Sequence, residues 1–204
     1  QKMLYITFIV LTFVFSSINA NPNGAPAGYA NSSPNFRNCT SCHTGNVNSG
    51  NGQVEFEGLP LSYVPGQTYT ISLVVTGSNS RGYGFQATSN SGNQFAGQFL
   101  LSQNSSQVEL NGNYVQQSSR TQNGNWIFDW LAPDASAGEV VFSASGLATG
   151  GSSGYSGDQV YITSVPISPQ NVSIENNPTP SLYRLYQNYP NPFNPITNIQ
   201  FELP

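Results

Sequence analysis

The run from Cys39 to His43 (CTSCH) carries the most distinctive chemistry in the sequence. Its two thiols are three positions apart and a histidine follows the second, which is the spacing of a c-type haem attachment site. The thiols of Cys39 and Cys42 would add across the two vinyl groups of one porphyrin, and the imidazole of His43 would become the axial ligand of the iron. The spacing therefore predicts one covalent haem c held by Cys39, Cys42 and His43.

The same residues allow other interpretations. In an oxidising compartment Cys39 and Cys42 can close a disulfide, which would pin a loop but stabilise the fold only modestly because the ring is small. Two free thiols are a third possibility, the least expected in an exported chain. A structural zinc ion needs four ligands, and only three are at hand. Haem and disulfide remain the two alternatives, and the adjacency of all three residues favours haem.

The scarcity of other strong ligands constrains the iron. The sequence contains one histidine, and its one methionine is Met3, in the N-terminal leader described below, next to Lys2. Without that leader, no second histidine, methionine or lysine can ligate iron. We therefore expect an open or weakly six-coordinate iron, with Gln116, Gln117, a tyrosine or water on its distal side. Because the one histidine belongs to the cysteine motif, no Ser-His nucleophile is credible and we predict no enzymatic activity.

The first twenty residues have the order of a secretory signal peptide. Lys2 supplies a positive start, residues 4–15 form an apolar run, and a small-residue region ends at Ala20. The apolar run is shorter than the roughly 20 residues that a bilayer needs. We expect cleavage after Ala20 and no membrane span in the mature chain.

Charge is scarce along the whole chain. Charged residues make up 7% of the sequence and the formal net charge is −4. Such a surface cannot neutralise the phosphates of a nucleic acid, so we predict no nucleic-acid partner. A polar surface of amides and hydroxyls is typical of an extracellular protein.

Short alternating segments separated by turn residues begin near Gln53 and predict an all-β fold, an antiparallel β-sandwich, with a closed barrel as the alternative. Three aromatics at period two, Trp126, Phe128 and Trp130, are expected to cross its core. Tyr63 and Tyr161 are among the tyrosines expected partly at the surface. The predicted organisation is a signal peptide (1–20), a loop segment with the cysteine motif (21–52), the β-sandwich domain (53–168), a linker (169–181) and a further segment (182–204).

The run from Leu185 to Pro195 (LYQNYPNPFNP) resembles the opening of the type A C-terminal sorting domain of the type IX secretion system. This resemblance implies passage through the periplasm, the type IX secretion machinery as a partner, and delivery to the outer cell surface or the medium. The later strands of that family do not follow, and the sequence stops at Pro204 after one strand-like run. We therefore expect the sorting domain to be truncated.

Five motifs in order resemble the reelin-like "choice-of-anchor V" domains of bacterial surface proteins: residues 24–29 (GAPAGY), 38–43 (NCTSCH), 81–86 (RGYGFQ), 126–133 (WIFDWLAP) and 157–161 (GDQVY). The resemblance implies an immunoglobulin-like sandwich displayed at the cell surface and leaves the activity open. Two functions follow as hypotheses. The first is a secreted or surface protein with one covalent haem for electron transfer or small-ligand binding. The second is a haem-free interaction or adhesion module with a Cys39–Cys42 disulfide and an unknown surface, glycan or redox partner.

Overall fold

The computed structural model describes residues 23–78, 80–150, 157–170 and 182–203. The predicted signal peptide and most of the predicted linker lie outside these residues. The chain divides into two compact units, one up to Gln170 and one from Asn171.

The first unit is built from short strands. In chain order they are β1 (Val54–Glu57), β2 (Ser62–Tyr63), β3 (Thr68–Val75), β4 (Tyr83–Ser91), β5 (Gln94–Phe95), β6 (Gln98–Leu100), β7 (Val108–Asn111), β8 (Tyr114–Gln117), β9 (Asn125–Leu131), β10 (Val140–Ala148) and β11 (Gln159–Pro169). The helical elements among the described residues are two 3₁₀ turns, Cys39–Ser41 and Ala135–Ala137.

These strands form two facing sheets. One has the order β1-β3-β9-β6, and the other has the order β2-β11-β10-β4-β8-β7 with β5 paired to β4. All pairings are antiparallel except the short contact of β2 with β11. The predicted all-β, immunoglobulin-like antiparallel sandwich is confirmed.

Aromatic side chains from both sheets fill the core. Trp126, Phe128 and Trp130 of β9 are almost fully buried, as predicted for three aromatics at period two. The ring of Trp130 meets that of Phe142 from β10 edge-on at 4.8 Å between centroids. Its indole Nε1 donates to the hydroxyl of Ser89 at 3.0 Å, so the buried polar end has a partner.

Two tyrosines expected partly at the surface are in fact fully buried. Tyr63 donates its hydroxyl to the backbone oxygen of Gly138 at 2.8 Å. Tyr161 donates to Gln159 Oε1 at 2.6 Å. A tyrosine can be buried when its hydroxyl has a hydrogen-bond acceptor, so the hydroxyl by itself does not predict solvent exposure.

The outer face of the larger sheet is polar and yet buried. Gln86 and Thr88 of β4 and Ser143 and Ser145 of β10 alternate with core residues along their strands, and each is at most 4% exposed. A sheet face turned away from the core is ordinarily solvated. Here residues 23–52, which we call the N-terminal segment, lie against this face and contact Gln86 and Ser145 directly.

The second unit contains a two-stranded antiparallel ladder, β12 (Arg184–Leu185) and β13 (Phe201–Glu202). The hydroxyl of Tyr186 donates to Glu202 Oε1 at 2.6 Å across this ladder. No helix in the described part of the chain has the length and apolar character needed to cross a membrane.

Candidate functional site

The cysteine motif is wound into one tight turn. The 3₁₀ turn Cys39–Ser41 starts at Asn38, whose Oδ1 accepts hydrogen bonds from the backbone N–H of Thr40 at 3.0 Å and from its hydroxyl at 2.6 Å. The N–H groups of Cys42 and His43 both donate to the carbonyl of Cys39, at 3.2 and 2.9 Å. The side-chain cap and these bonds hold both cysteines and the histidine in one short, folded stretch.

Ser145 anchors this turn to the sheet. Its hydroxyl oxygen accepts from the backbone N–H of Cys39 at 3.1 Å and donates its proton to Cys39 Sγ at 3.1 Å. Burial raises the pKa of the Cys39 thiol from 9.0 to about 11, and the bond from Ser145 offsets only part of that effect. Cys42 is exposed, and both cysteines are free thiols in this structure. The two thiols therefore lie in different environments: Cys39 is partly shielded from water and bonded to Ser145, and Cys42 is exposed.

His43 is oriented by a buried carboxylate. Its Nδ1 lies 2.6 Å from Asp158 Oδ2, with 18% of the His43 side chain and 3% of the Asp158 side chain exposed. The other oxygen, Asp158 Oδ1, accepts from the backbone N–H of Gly150 at 2.9 Å. Asp158 directly precedes β11 and Gly150 follows β10, so the pairing of these two strands places the carboxylate beneath the histidine.

Gln86 holds the start of the N-terminal segment. Its Oε1 accepts from the backbone N–H of Tyr29 at 2.6 Å, and its Nε2 donates to the carbonyl of Pro26 at 2.9 Å and to Gln116 Oε1 at 2.8 Å. Gln86 and Ser145 are direct cross-strand neighbours. This neighbouring pair, Gln86 on β4 and Ser145 on β10, therefore binds both the beginning of the segment and the cysteine turn.

The end of the segment is tied to β11. Val47 forms a parallel bridge with Val160, and the N–H of Asn48 donates to the Val160 carbonyl at 2.8 Å. Asn48 Oδ1 accepts from the N–H of Ile162 at 2.9 Å. The segment thus crosses the sheet from β4 over β10 to β11, with the cysteine turn at the middle of its path.

The side chains of the two glutamines considered as distal iron ligands already form hydrogen bonds within the sheet. Gln116 accepts from Gln86 at Oε1 and donates from Nε2 to Glu109 Oε1 at 2.8 Å. The Oε1 of Gln117 accepts from the N–H of Phe85 at 2.6 Å. Their side chains stabilise the packing of the segment and of neighbouring strands.

Ser145 and Asp158 are the site residues that sequence reasoning did not assign. Asp158 entered the sequence analysis only as a member of the 157–161 motif, and the structure shows its Oδ1 accepting from the N–H of Gly150. It lies 115 residues from His43, and Ser145 lies 106 residues from Cys39. No local pattern relates residues so far apart, because sheet pairing brings them together.

The donor chemistry fits a covalent haem better than a bare metal ion. No group of three or more histidine, cysteine, aspartate or glutamate side chains within the described residues could hold an ion. Haem instead needs two thiols for covalent attachment and one oriented imidazole from the protein, which Cys39, Cys42 and His43 provide. A thioether carries no charge, so the buried surroundings that disfavour a thiolate at Cys39 do not disfavour it.

Comparisons with known proteins identify the domain. The Reeler domain model matches residues 36–149, more than half of the chain. The Reelin-N domain of F-spondin aligns with 21% identity over 65% of this chain and 95% of that chain, with a TM-score of 0.48. The human F-spondin reeler domain aligns with 19% identity over 64% and 96%, also with a TM-score of 0.48.

A conjugative transposon lipoprotein from Bacteroides eggerthii DSM 20697 aligns with 12% identity over 57% of this chain and 95% of that chain, with a TM-score of 0.36. No curated protein matches the chain. The match to the family model spans the cysteine turn, Gln86, the aromatic strand β9 and Ser145. The chain belongs to the Reeler domain family.

Proposed function

We propose that this Reeler-family chain is an exported surface module that carries one covalent c-type haem on Cys39 and Cys42, with His43 as the axial ligand. The observation that carries the proposal is the 2.6 Å contact between His43 Nδ1 and the buried carboxylate of Asp158. Histidines that bind metals almost always donate their second ring N–H to a carboxylate, a carbonyl or water.

Each residue of the turn has a defined part in that arrangement. Cys39 and Cys42 would anchor the porphyrin through thioether bonds, and His43 would ligate iron through Nε2 because Nδ1 contacts Asp158. When bound, the haem supplies an iron centre that can change oxidation state or bind a small ligand. Asn38 and Ser145 hold the turn in place through its backbone.

Small-ligand binding is the role that the contacts favour over electron transfer. His43 is the one histidine in the sequence, and Met3 and Lys2 belong to the predicted leader. Gln116 and Gln117 are engaged in hydrogen bonds with the sheet. Outside the predicted leader the sequence offers no histidine, methionine or lysine as a sixth ligand, so a ligand from solution such as carbon monoxide or cyanide could bind the iron.

The location is part of the same proposal. The leader pattern of residues 1–20 and the sorting-domain resemblance of residues 185–195 both support export through the periplasm to the outer surface or the medium. The type IX secretion machinery is the proposed partner for export.

The test is an absorption spectrum and an intact mass of the chain from Asn21, made in a periplasm with haem-attachment machinery. We expect a Soret band, a mass increased by one haem, and rapid binding of carbon monoxide by the reduced protein. A spectrum of the bis-histidine type in the monomer would contradict the open iron.

Two variants separate covalent attachment from ligation. C39S/C42S should lose the covalent haem, whereas H43A should keep the added mass but change the spectrum because the axial ligand is gone. A colourless wild-type protein, two hydrogens lighter than its dithiol form, would replace the haem proposal with the disulfide-linked interaction module.

A further inference from the structure

We infer that Asp158 is the positioning residue that sets the orientation and donor strength of His43, an inference that rests on the proposed haem function. Asp158 would act on a bound iron only through the imidazole ring, whose Nδ1 lies 2.6 Å from Asp158 Oδ2.

The geometry of the carboxylate is fixed from two sides. The Asp158 side chain is 3% exposed, and its two oxygens have different partners, the His43 ring and the Gly150 N–H. A carboxylate that is buried this far from water must be paired or hydrogen-bonded. Because both oxygens are engaged, rotation of the carboxylate would break one contact, so the partner of His43 Nδ1 is held in place.

This contact determines which ring nitrogen carries the proton and how basic the other one is. With the proton on Nδ1 and donated to Asp158, the lone pair of a neutral imidazole is on Nε2. A charged acceptor on Nδ1–H makes Nε2 more basic and therefore a stronger ligand. A stronger donor stabilises ferric relative to ferrous iron. Removing the charge at Asp158 should thus raise the midpoint potential of the haem.

Asp158 also has a structural contact, and the test must separate the two roles. Loss of the bond to Gly150 would loosen the β10–β11 connection whether or not haem is present. The variant D158N keeps a side chain of the same shape, and its Oδ1 can still accept from Gly150. Its Nδ2 would then face His43, so the variant removes both the charge and the acceptor for the ring. D129N makes the same change of charge on β9, where Asp129 Oδ1 accepts from Thr70 at 2.7 Å, and is the matched control.

The first arm uses the haem-free protein. Because His43 is the one histidine, its ¹⁵N-labelled ring gives a single set of nitrogen signals, and these report which nitrogen carries the proton. In a sample whose ring is neutral, we expect the Nδ1–H tautomer in the wild type and in D129N, and a shift towards the Nε2–H tautomer in D158A. An Nε2–H tautomer in the folded wild type would overturn the inference, even if D158A does not fold.

The second arm uses the haem-loaded protein. We expect D158N to favour the ferrous form at least tenfold more than the wild type does, which is a rise of about 59 mV for one electron. The potential of D129N should stay close to that of the wild type. Equal potentials in D158N and the wild type would overturn the inference while leaving the haem proposal intact. Failure of the wild type to take up haem would overturn the haem proposal, and the tautomer would still decide whether Asp158 orients His43.

Discussion

The burial of Cys39 makes a quantitative prediction about its reactivity. In the variant C42S, produced without haem and kept reduced, Cys39 is the single thiol. Burial raises the pKa of this thiol from 9.0 to about 11, so at about pH 8 the thiolate fraction falls roughly 100-fold. A more basic thiolate is intrinsically more nucleophilic, with a Brønsted coefficient of about 0.4–0.5, which recovers roughly tenfold. The folded protein should therefore react at least about tenfold more slowly than the unfolded one.

The assay is the rate of exchange with an aromatic disulfide reagent, measured in buffer and again in denaturing urea. Steric shielding by the sheet can only add to the tenfold difference. The variant C39S, which leaves the exposed Cys42, is the matched control and should react at similar rates in both conditions. Equal rates for Cys39 in the folded and unfolded chains would refute its burial against Ser145. A slow Cys39 would also mean that haem attachment precedes the docking of the N-terminal segment, since the attacking group must be accessible.

The same shift in pKa predicts how stability depends on pH. The pKa of Cys39 is higher in the folded chain than in the unfolded one, so the folded chain holds the thiol proton more tightly. Its contribution is fully present below about pH 9 and is lost as the pH rises towards about 11. The free energy of unfolding of C42S should fall over this window relative to C39S/C42S. Burial also raises the pKa of Tyr63, but that group is common to both variants and cancels.

Two further substitutions test the packing that positions the site. S145A leaves the partly buried N–H of Cys39 without its acceptor and should lower the free energy of unfolding by about 1–2 kcal/mol. S143A should cost less, because Ser143 makes one long contact of 3.4 Å to another serine. Urea denaturation compares the two variants, and equal losses would contradict the anchoring role of Ser145. G97A places a Cβ 2.3 Å from Trp130 Nε1 at a φ of +77° and should lower the free energy of unfolding by more than about 3 kcal/mol. The control G112A, at a φ of +63° with open space around it, should lower it by about 1–2 kcal/mol. Similar melting temperatures for the two variants would contradict the close packing at Trp130.

Alternating apolar and polar residues predicted the sandwich and its aromatic strand correctly because that pattern reports burial on one face directly. The pattern was less informative where both faces of a strand are buried. β8 (Tyr114–Gln117) lacks a clear alternation, since Gln116 is buried against Gly24 of the N-terminal segment and Gln117 bonds to the backbone of β4 on the other face. Tyr63 was expected partly at the surface for a related reason: the acceptor of its hydroxyl, the Gly138 carbonyl, lies 75 residues away in the sequence.

The sequence by itself determined the chemistry available to this protein: two thiols and a histidine in close succession, an N-terminal run with the pattern of a leader, a run that resembles a sorting domain, and strands with one apolar face. Covalent order is enough for these features, because residues three or four positions apart stay together in any folded state. The tertiary structure decided the rest. It buried Cys39 against Ser145, paired His43 with Asp158 and tied the Pro- and Gly-rich N-terminal segment to a polar sheet face. Those contacts depend on strand register, which is set by the packing of the whole sandwich and not by any local pattern.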